Sequence, residues 1–377
     1  MSPHRLESVC DLVMGQAPDG ESYNSEGDGL PLIAGAGDFG ELHPVATKFT
    51  RAPGKICRAG DIVLGIRATI GRKVIADGDY CLGRGVAGLR AKQGLDSRYL
   101  WHWLTHVEPT LASKARGATF KQVNRDDIAD LAITVPPIAE QRRIAEVLDL
   151  AEALRTKRRA ALVQLDTLTQ SIFLDMFGDP GSILGRWPTA RLGQLLDFMT
   201  SGSRGWAEHY AASGDLFLRI QNVRRDELLL DDVAFVRTPD TAEARRTRVL
   251  PGDVLLSITA DLGRTAVVPT GLGPAFINQH LSILRTQALA PRFLSAYLTS
   301  PAGQGQVLSR NRQGVKAGLN FDDIRSIVVP LPTMGEQDEF ARRIAAVERL
   351  KAGHRASLVE VDSLFTSLQA RAFGGVA

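Results

Sequence analysis

The second half of this 377-residue chain repeats the first, and this internal repeat constrains the fold more than any other feature. The clearest matches lie 196 residues apart: Asp126/Asp322, Asp127/Asp323, Ile128/Ile324, Glu140/Glu336, Gln141/Gln337, Leu154/Leu350, Phe177/Phe373 and Gly178/Gly374. A chain organised as globule, helix, globule, helix is a pseudo-dimer in one polypeptide. Such a molecule suits a target that itself has two halves.

Each repeat ends in a long amphipathic pattern, which predicts helices over residues 140–177 and 336–373. Apolar residues recur at three- and four-residue spacing in both stretches, and prolines stand just upstream, where missing amide donors are tolerated. Each helix would be about 57 Å long at the standard rise. Since helices of this length rarely cover one small globule, we expect them to form an antiparallel, coiled-coil-like pair that offers its remaining apolar surface to a partner.

The globules preceding these helices contain short β-branched runs closed by Gly and Asp turns, as at residues 60–64 and 252–256. This pattern is typical of a mixed, irregular sheet. The predicted fold class is therefore α+β, with two mixed α/β domains separated by the two long helices. We place the first domain at residues 1–138, the central helix at 139–179, the second domain at 180–334 and the C-terminal helix at 335–377.

Composition is that of an ordinary folded protein, with 44% hydrophobic and 23% charged residues. Apolar runs fall far short of the ~20 residues that a membrane span requires, and no apolar signal core follows the N-terminus. We therefore expect a cytoplasmic protein without a membrane partner. Cys10, Cys57 and Cys81 have neither C-x-x-C spacing nor partner histidines, so we interpret them as reduced structural cysteines.

The net charge of +3 does not by itself indicate a nucleic-acid partner. Only nine of the 45 basic residues are lysine, so arginine, which forms bidentate bonds to guanine and phosphate, dominates. An arginine-biased genome and selection for DNA contact both explain this preference.

Several catalytic motifs are missing from the sequence. No Asp or Glu stands two residues before a Lys, so the metal-binding (D/E)-x-K end of a restriction nuclease core is absent. Ile56 follows Gly54-Lys55 where a Walker A motif needs Ser or Thr, and Val135 precedes the Pro-Pro pair where an amino-methyltransferase loop has Asn, Asp or Ser. No G-x-G-x-x-G lies between a strand and a helix. The sequence thus predicts a chain with no catalytic residue, metal or cofactor.

Polar and basic residues on glycine-bounded loops are the remaining candidates for function. Arg, Gln and Asn read guanine and adenine edges by paired hydrogen bonds, which makes these loops candidate DNA contacts. The alternative is that such residues pair with nearby carboxylates. We interpret His280 as a turn or groove residue, since no Ser or Cys nucleophile accompanies it. The candidate contacts are Arg67, Thr69, Arg84, Thr119 and Lys121 in the first domain, and Ser203, Arg204, Trp206, Gln221, Asn222, Arg264, Asn278, Gln279, His280 and Lys316 in the second.

Four segments of the first repeat together resemble a known family. Residues 35–40, 60–63 and 83–85, and above all Pro136-Pro137-Ile138-Ala139-Glu140-Gln141-Arg142-Arg143-Ile144, are similar to the DNA-specificity subunit of type I restriction-modification systems. The resemblance covers essentially the whole chain, and the proline-to-E-Q-R start of the helix is its most specific part. The corresponding segment of the second repeat, residues 330–338, departs from this pattern, which could weaken one helix start.

The resemblance implies two target recognition domains, each reading one half of a split double-stranded DNA site, held apart by the two helices. It also implies partners: two methyltransferase (modification) subunits for adenine methylation, and motor/nuclease (restriction) subunits for translocation and cleavage. Three alternatives stay open. They are a stand-alone DNA methyltransferase or nuclease with an unrecognised site, a protein-interaction scaffold with no DNA function, and the specificity subunit of a related phage-defence system.

Overall fold

The computed structural model describes residues 3–117, 121–179, 182–311 and 318–374. The chain divides into two compact units. The first unit consists of Met1–Arg159 and Ala356–Ala377, and the second unit is Ala160–Arg355. Each unit contains sheets, short helices and part of each long helix, which confirms the predicted α+β class.

In the first unit, within the described residues, the strands are β1 His4–Arg5, β2 Cys10–Met14, β3 Tyr23–Asn24, β4 Leu30–Ile33, β5 Lys48–Thr50, β6 Ile56–Cys57, β7 Ile62–Gly65, β8 Lys73–Ile75, β9 Tyr80–Leu82, β10 Val86–Ala91 and β11 Ala132–Ile133. The helices are α1 Leu6–Val9, α2 Ser97–Ser113, α3 Arg125–Ala129 and the first part of α4 Ile138–Phe177.

The first unit packs α2 against a sheet of order β2-β10-β7-β8, whose neighbouring strands are antiparallel. A second sheet has the order β3-β5-β4-β9-β6, with β4 and β9 parallel. Strand β7 is buried along its whole length because the two sheets and α2 enclose it. Asp96 caps α2 by accepting from the Arg98 and Tyr99 backbone amides, as expected at a helix N-terminus.

In the second unit, within the described residues, the strands are β12 Thr189–Arg191, β13 Phe198–Ser201, β14 Tyr210–Ala211, β15 Asp215–Leu218, β16 Ala234–Val236, β17 Val254–Ser257, β18 Thr265–Val267, β19 Ala275–Ile277, β20 Leu281–Arg285 and β21 Val328–Pro330. The helices are α5 Ile183–Arg186, α6 Ala242–Thr247, α7 Pro291–Thr299, α8 Pro301–Ser309, α9 Phe321–Arg325 and the first part of α10 Met334–Phe373.

The second unit repeats the topology of the first. Its sheet β13-β20-β17-β18 corresponds to β2-β10-β7-β8, and β15 and β19 form a parallel pair as β4 and β9 do. Identical capping boxes start α3 and α9, with Asn124 and Asp127 in one and Asn320 and Asp323 in the other. The predicted repeat is thus present in three dimensions.

Both long helices begin two residues before the predicted start and end at the predicted residue. Helix α4 starts directly after Pro137, whose carbonyl accepts from the amides of Glu140 and Gln141. Gly178 then ends it with φ 100°, the left-handed conformation that favours glycine. The helix therefore begins closer to the prolines than the spacing of its apolar residues predicts.

The helices run in opposite directions where they meet within each unit. In the first unit Arg155 of α4 binds Asp362 of α10 at 2.5 Å, and Ile144 and Leu148 line one pocket with Leu368 and Ala372. In the second unit Lys351 of α10 binds Asp166 of α4 at 3.0 Å, and the ring centroids of Phe173 and Phe340 lie 5.6 Å apart. These two ion pairs occupy equivalent positions, because Arg155 and Lys351 match through the 196-residue repeat, as do Asp166 and Asp362. The predicted antiparallel pairing is confirmed in each unit.

A buried glutamine attaches each long helix to its globule. Gln141, fully shielded from solvent, donates to the carbonyls of Gly94 and Pro136 and accepts from the amide of Asp96, each at 2.8 Å. Gln337, its repeat partner, accepts from Ala290 N and donates to Pro332 O, both at 2.9 Å. The motif most specific to the resemblance therefore has a structural role.

An Asp–Arg pair braces the central sheet of each unit. Buried Asp61 receives two hydrogen bonds from Arg90 at 2.7 and 2.6 Å, and Asp253 receives two from Arg285 at 2.6 and 2.8 Å. The bond to the carboxylate raises the pKa of each guanidinium. Such bidentate pairs fix the strands geometrically as well as energetically.

The three cysteines are free and buried, and burial raises the pKa of the Cys10 and Cys57 thiols to about 12. These thiols are accordingly protonated at neutral pH. Within the described ranges, none of the helices combines the length and apolarity needed to cross a membrane.

Candidate nucleic-acid interface

In the first unit the three predicted contact loops meet at one edge of the sheet. Ile66 N donates to Gly85 O at 2.9 Å, and Ala68 N donates to Lys121 O at 3.2 Å. A β-bridge joins Arg67 to Gln122. Sequence-distant residues 67–69, 83–85 and 121–122 therefore form one continuous surface.

The side chains of this edge are available for a ligand. Thr69, Arg84 and Lys121 are exposed and Arg67 is half-buried. The three cations make no ion pair with any residue that the structure describes. A Cβ at Gly85 would lie 2.5 Å from Ala34 O, so glycine is needed for the turn that presents Arg84. Thr119, also predicted here, lies outside the described residues.

The second unit builds an equivalent edge. Ile258 N donates to His280 O and Leu319 N donates to Ile258 O, both at 2.9 Å, while a bridge joins Thr259 to Gly318. His280 hydrogen bonds through Nδ1 to Thr259 Oγ1, and its Nε2 lies 3.1 Å from Gln279 Nε2. Lys316, the predicted contact between these loops, lies outside the described residues.

Matching positions of the two edges share an unusual backbone. Ala68 and Ala260 both have positive φ, 55° and 62°, and each follows the first residue of its contact loop. Thr259 thus occupies the place of Arg67, although we did not predict it as a contact. The repeat could have identified Thr259 from the sequence. Gly60-Asp61 precedes Gly252-Asp253 by 192 residues, and the same offset links Arg67 to Thr259.

Four further predicted contacts lie at the surface of the second unit and differ in whether their side chains are bonded within the protein. Arg204 is exposed and makes no ion pair within the described part of the chain. Gln221 Nε2 donates to Asp232 Oδ2 at 3.0 Å, and Arg264 binds Asp261. Ser203 is half-buried beside Glu243, whose pKa is lowered by a hydrogen bond from Arg246. Gln221 and Arg264 would have to leave these partners to contact a base.

Three residues predicted as contacts lie in the interior instead. Trp206 is 3% exposed and packs its ring 5.0 Å from Phe217 and 5.2 Å from Phe276. Asn222 is 2% exposed, with Nδ2 bound to two backbone carbonyls. Asn278 accepts from the His280 amide at 3.2 Å. Because Trp206 packs among aromatic rings and the two asparagine side chains hydrogen bond within the protein, these side chains shape the loops, and we drop them as direct contacts.

Both edges carry side chains that donate hydrogen bonds. Guanidinium, ammonium, amide and hydroxyl groups are hydrogen-bond donors suited to base edges and phosphates. In the described part of the chain, no group of three or more His, Cys, Asp and Glu side chains could hold a metal ion.

Comparisons with known proteins show which family the chain is similar to. Residues 2–164 match the type I restriction modification DNA specificity domain. A protein assigned as the MjaX type I restriction enzyme specificity subunit of Methanocaldococcus jannaschii is 32% identical to this chain over the aligned region. That region covers 44% of this chain and 39% of the relative. The EcoBI type I specificity subunit of Escherichia coli is 21% identical over 98% of this chain and 85% of its own length.

A solved structure shares the whole fold. The type I restriction-modification S subunit from M. genitalium aligns with 99% of this chain and 96% of its own, with a TM-score of 0.62 at 15% identity. Both repeats and both long helices fall inside the aligned region. The chain is thus similar over nearly its whole length to a type I restriction enzyme specificity subunit, and its first repeat matches the type I restriction modification DNA specificity domain.

Proposed function

We propose that this chain recognises a bipartite double-stranded DNA site for a type I restriction-modification complex, each unit reading one half-site. The observation that carries the proposal is the convergence of residues 67–69, 83–85 and 121–122 on one edge, with residues 259–261 and 278–280 and Gly318 at the matching edge of the second unit. Two modest half-site affinities joined in one chain give a high effective concentration for the second contact.

The chain itself contributes no catalysis in this proposal. Methylation and cleavage belong to separate methyltransferase and motor/nuclease subunits, in the cytoplasm where DNA is accessible. The test measures duplex binding and methyl transfer with the purified chain alone. We expect duplex binding that weakens with salt, as counterion release requires, and no labelled methyl group transferred to DNA. Methyl incorporation by the partner-free chain would contradict the proposal and favour a stand-alone methyltransferase.

The long helices supply two similar surfaces for two methyltransferase subunits. Exposed apolar residues on them come in repeat-related pairs, and each unit contains one member of each pair: Leu154, Val359 and Leu364 in the first unit, and Leu350, Val163 and Leu168 in the second. Their exposed fractions range from 39% to 70%. Duplicated exposed apolar positions suit two copies of one protein.

Native mass spectrometry of the complex tests this stoichiometry. We expect Leu154→Asp and Leu350→Asp each to lose one methyltransferase copy, and the double variant to lose both. Ala153→Asp, at an exposed position next to Leu154, serves as the control and should retain two copies. Loss of both copies from either single variant would contradict the two-surface arrangement.

A further inference from the structure

A cleft of about 890 Å³ opens in the second unit between the long helices, α7, α8 and the loop around residues 224–229. Its walls include Thr169 of α4, Ala296 of α7, Ser300 and Lys351 of α10. This space is large enough for a ring-sized ligand, and Asp261 of the contact edge and the neighbouring Arg264 also line it.

The first unit fills the matching space with rings. Through the 196-residue repeat, Thr169 corresponds to Phe365. Helices α2 and α7 can be aligned at their N-caps, which are Asp96 and Ala290. In this alignment Ala296 corresponds to His102, and Ser300 corresponds to His106. Phe365 is 5% exposed and His102 is 2% exposed, and their ring centroids lie 6.4 Å apart. Three small residues of the second unit thus replace three rings of the first.

Two neighbouring positions show the same change in size. Lys73 of β8 places Nζ 4.7 Å from the centroid of the Trp101 ring. Their counterparts are Thr265 and Ser295, whose hydroxyl oxygens lie 2.8 Å apart. The second unit therefore has consistently smaller side chains along this seam between sheet and helices.

Polar groups in the cleft match what a ring would need. Thr169 Oγ1 is shielded from solvent and has no hydrogen-bond partner among the described residues. Lys351 is 7% exposed and held by Asp166 at 3.0 Å and Glu348 at 3.2 Å. Its repeat counterpart Arg155 lies over the Phe365 ring, 4.5 Å from the centroid. A ring in the cleft would receive the same kind of cation–π contact from Lys351.

We propose that this cleft binds a planar aromatic group, seated beside Lys351 and packed against the Thr169 side chain. The ring takes the place that Phe365 occupies in the first unit. A free aromatic molecule and an aromatic side chain of a bound polypeptide share this chemistry.

Fluorine NMR with 4-fluorophenol as the probe tests the proposal on the full chain. We expect saturable binding at one site in the wild type and at least tenfold weaker binding to Thr169→Phe, which copies the first repeat. Ala296→His fills the cleft from α7 and should weaken binding independently, in case the first variant fails to fold. Thr167→Phe places the same ring at an exposed position of α4 and should leave binding unchanged.

The reciprocal variant and the assembled complex complete the test. Phe365→Thr should open a second site for the probe in the first unit. If the probe binds the free chain but is excluded once the methyltransferase subunits are added, the natural occupant is a partner side chain; if it binds both, the occupant is a free molecule. No saturable binding to the wild type, or equal binding to the wild type and both filled variants, would overturn the proposal.

Discussion

In the first unit, residues 83–85 are Gly-Arg-Gly and present the exposed guanidinium of Arg84 at the edge of the sheet. In the second unit, residues 278–280 are Asn-Gln-His at the same place, and Gln279 is half-buried beside an imidazole. The backbone bonds that position the two segments are equivalent, because Gly85 O and His280 O accept from matching amides. One framework therefore displays two different sets of donors, which suits the two unlike half-sites of the proposed target.

The framework itself differs little between the units. Matching buried polar groups hold it in both: Gln141 and Gln337 at the helix starts, and the pairs Asp61–Arg90 and Asp253–Arg285 in the sheets. Loops at an edge carry few such constraints. The comparison teaches that the repeat retains what positions the edge and varies what the edge displays.

Breaking the Asp–Arg pair in the central sheet should have the largest effect on stability, and the loss should be equal in the two units. We expect Asp61→Ala and Asp253→Ala each to cost about 4 kcal/mol, because each removes the partner of a half-buried arginine and the acceptor of a backbone amide. Hydrogen exchange with mass spectrometry reads the units separately. Protection should fall in the unit that carries the substitution, while exposed Asp79→Ala changes neither. Unequal losses would show that the frameworks are not equivalent.

Replacing Gln141 and Gln337 at the helix starts tests the two units further, because these residues make different numbers of hydrogen bonds. Gln141 makes three hydrogen bonds with described residues and Gln337 makes two. We expect Gln141→Leu to cost about 3 kcal/mol and Gln337→Leu about 2 kcal/mol in urea unfolding, since buried backbone groups are left without partners. Gln164→Leu, exposed on α4, is the control. A larger loss for Gln337→Leu would contradict this bonding scheme.

A pH-dependent difference should separate the units further. Burial raises the pKa of Asp226 in the second unit from 3.8 to about 6, against opposing contributions from Ser295 and Arg292; Glu348 adds to the rise and Lys351 opposes it. Between these two pKa values the carboxyl of Asp226 keeps its proton in the native state and loses it in the unfolded state. The stability that Asp226 contributes is therefore lost as pH rises from about 4 to 6.

Asp226→Asn should abolish this loss. Between pH 4 and 7 we expect the wild type to lose about 2 kcal/mol relative to the variant, measured by urea unfolding at each pH. Asp240→Asn, whose side chain is 94% exposed, should keep the pH dependence of the wild type. Parallel pH profiles for the wild type and Asp226→Asn would show that this carboxyl titrates normally.

Local sequence patterns predicted the long helices and the repeat because periodicity and spacing are properties of the chain itself. They did not reveal the role of Gln141, since its partners Gly94 and Asp96 come from a distant loop. Trp206 follows a Gly-rich loop typical of a surface, yet long-range packing against Phe217 buries it. Side-chain burial in a loop depends on tertiary contacts that no local pattern encodes.

The central claim is that each unit reads its own half-site, and mapping methylated sites in cells tests it most directly. Complexes containing Arg84→Ala or Gln279→Ala are expressed with the proposed methyltransferase partners, and the methylated sequences are compared with those of the wild type. A lost base contact should cost about 1–3 kcal/mol and relax the sequence at one position. We predict that Arg84→Ala relaxes one half-site and Gln279→Ala the other. Relaxation of the same half-site by both variants, or of neither, would contradict the account.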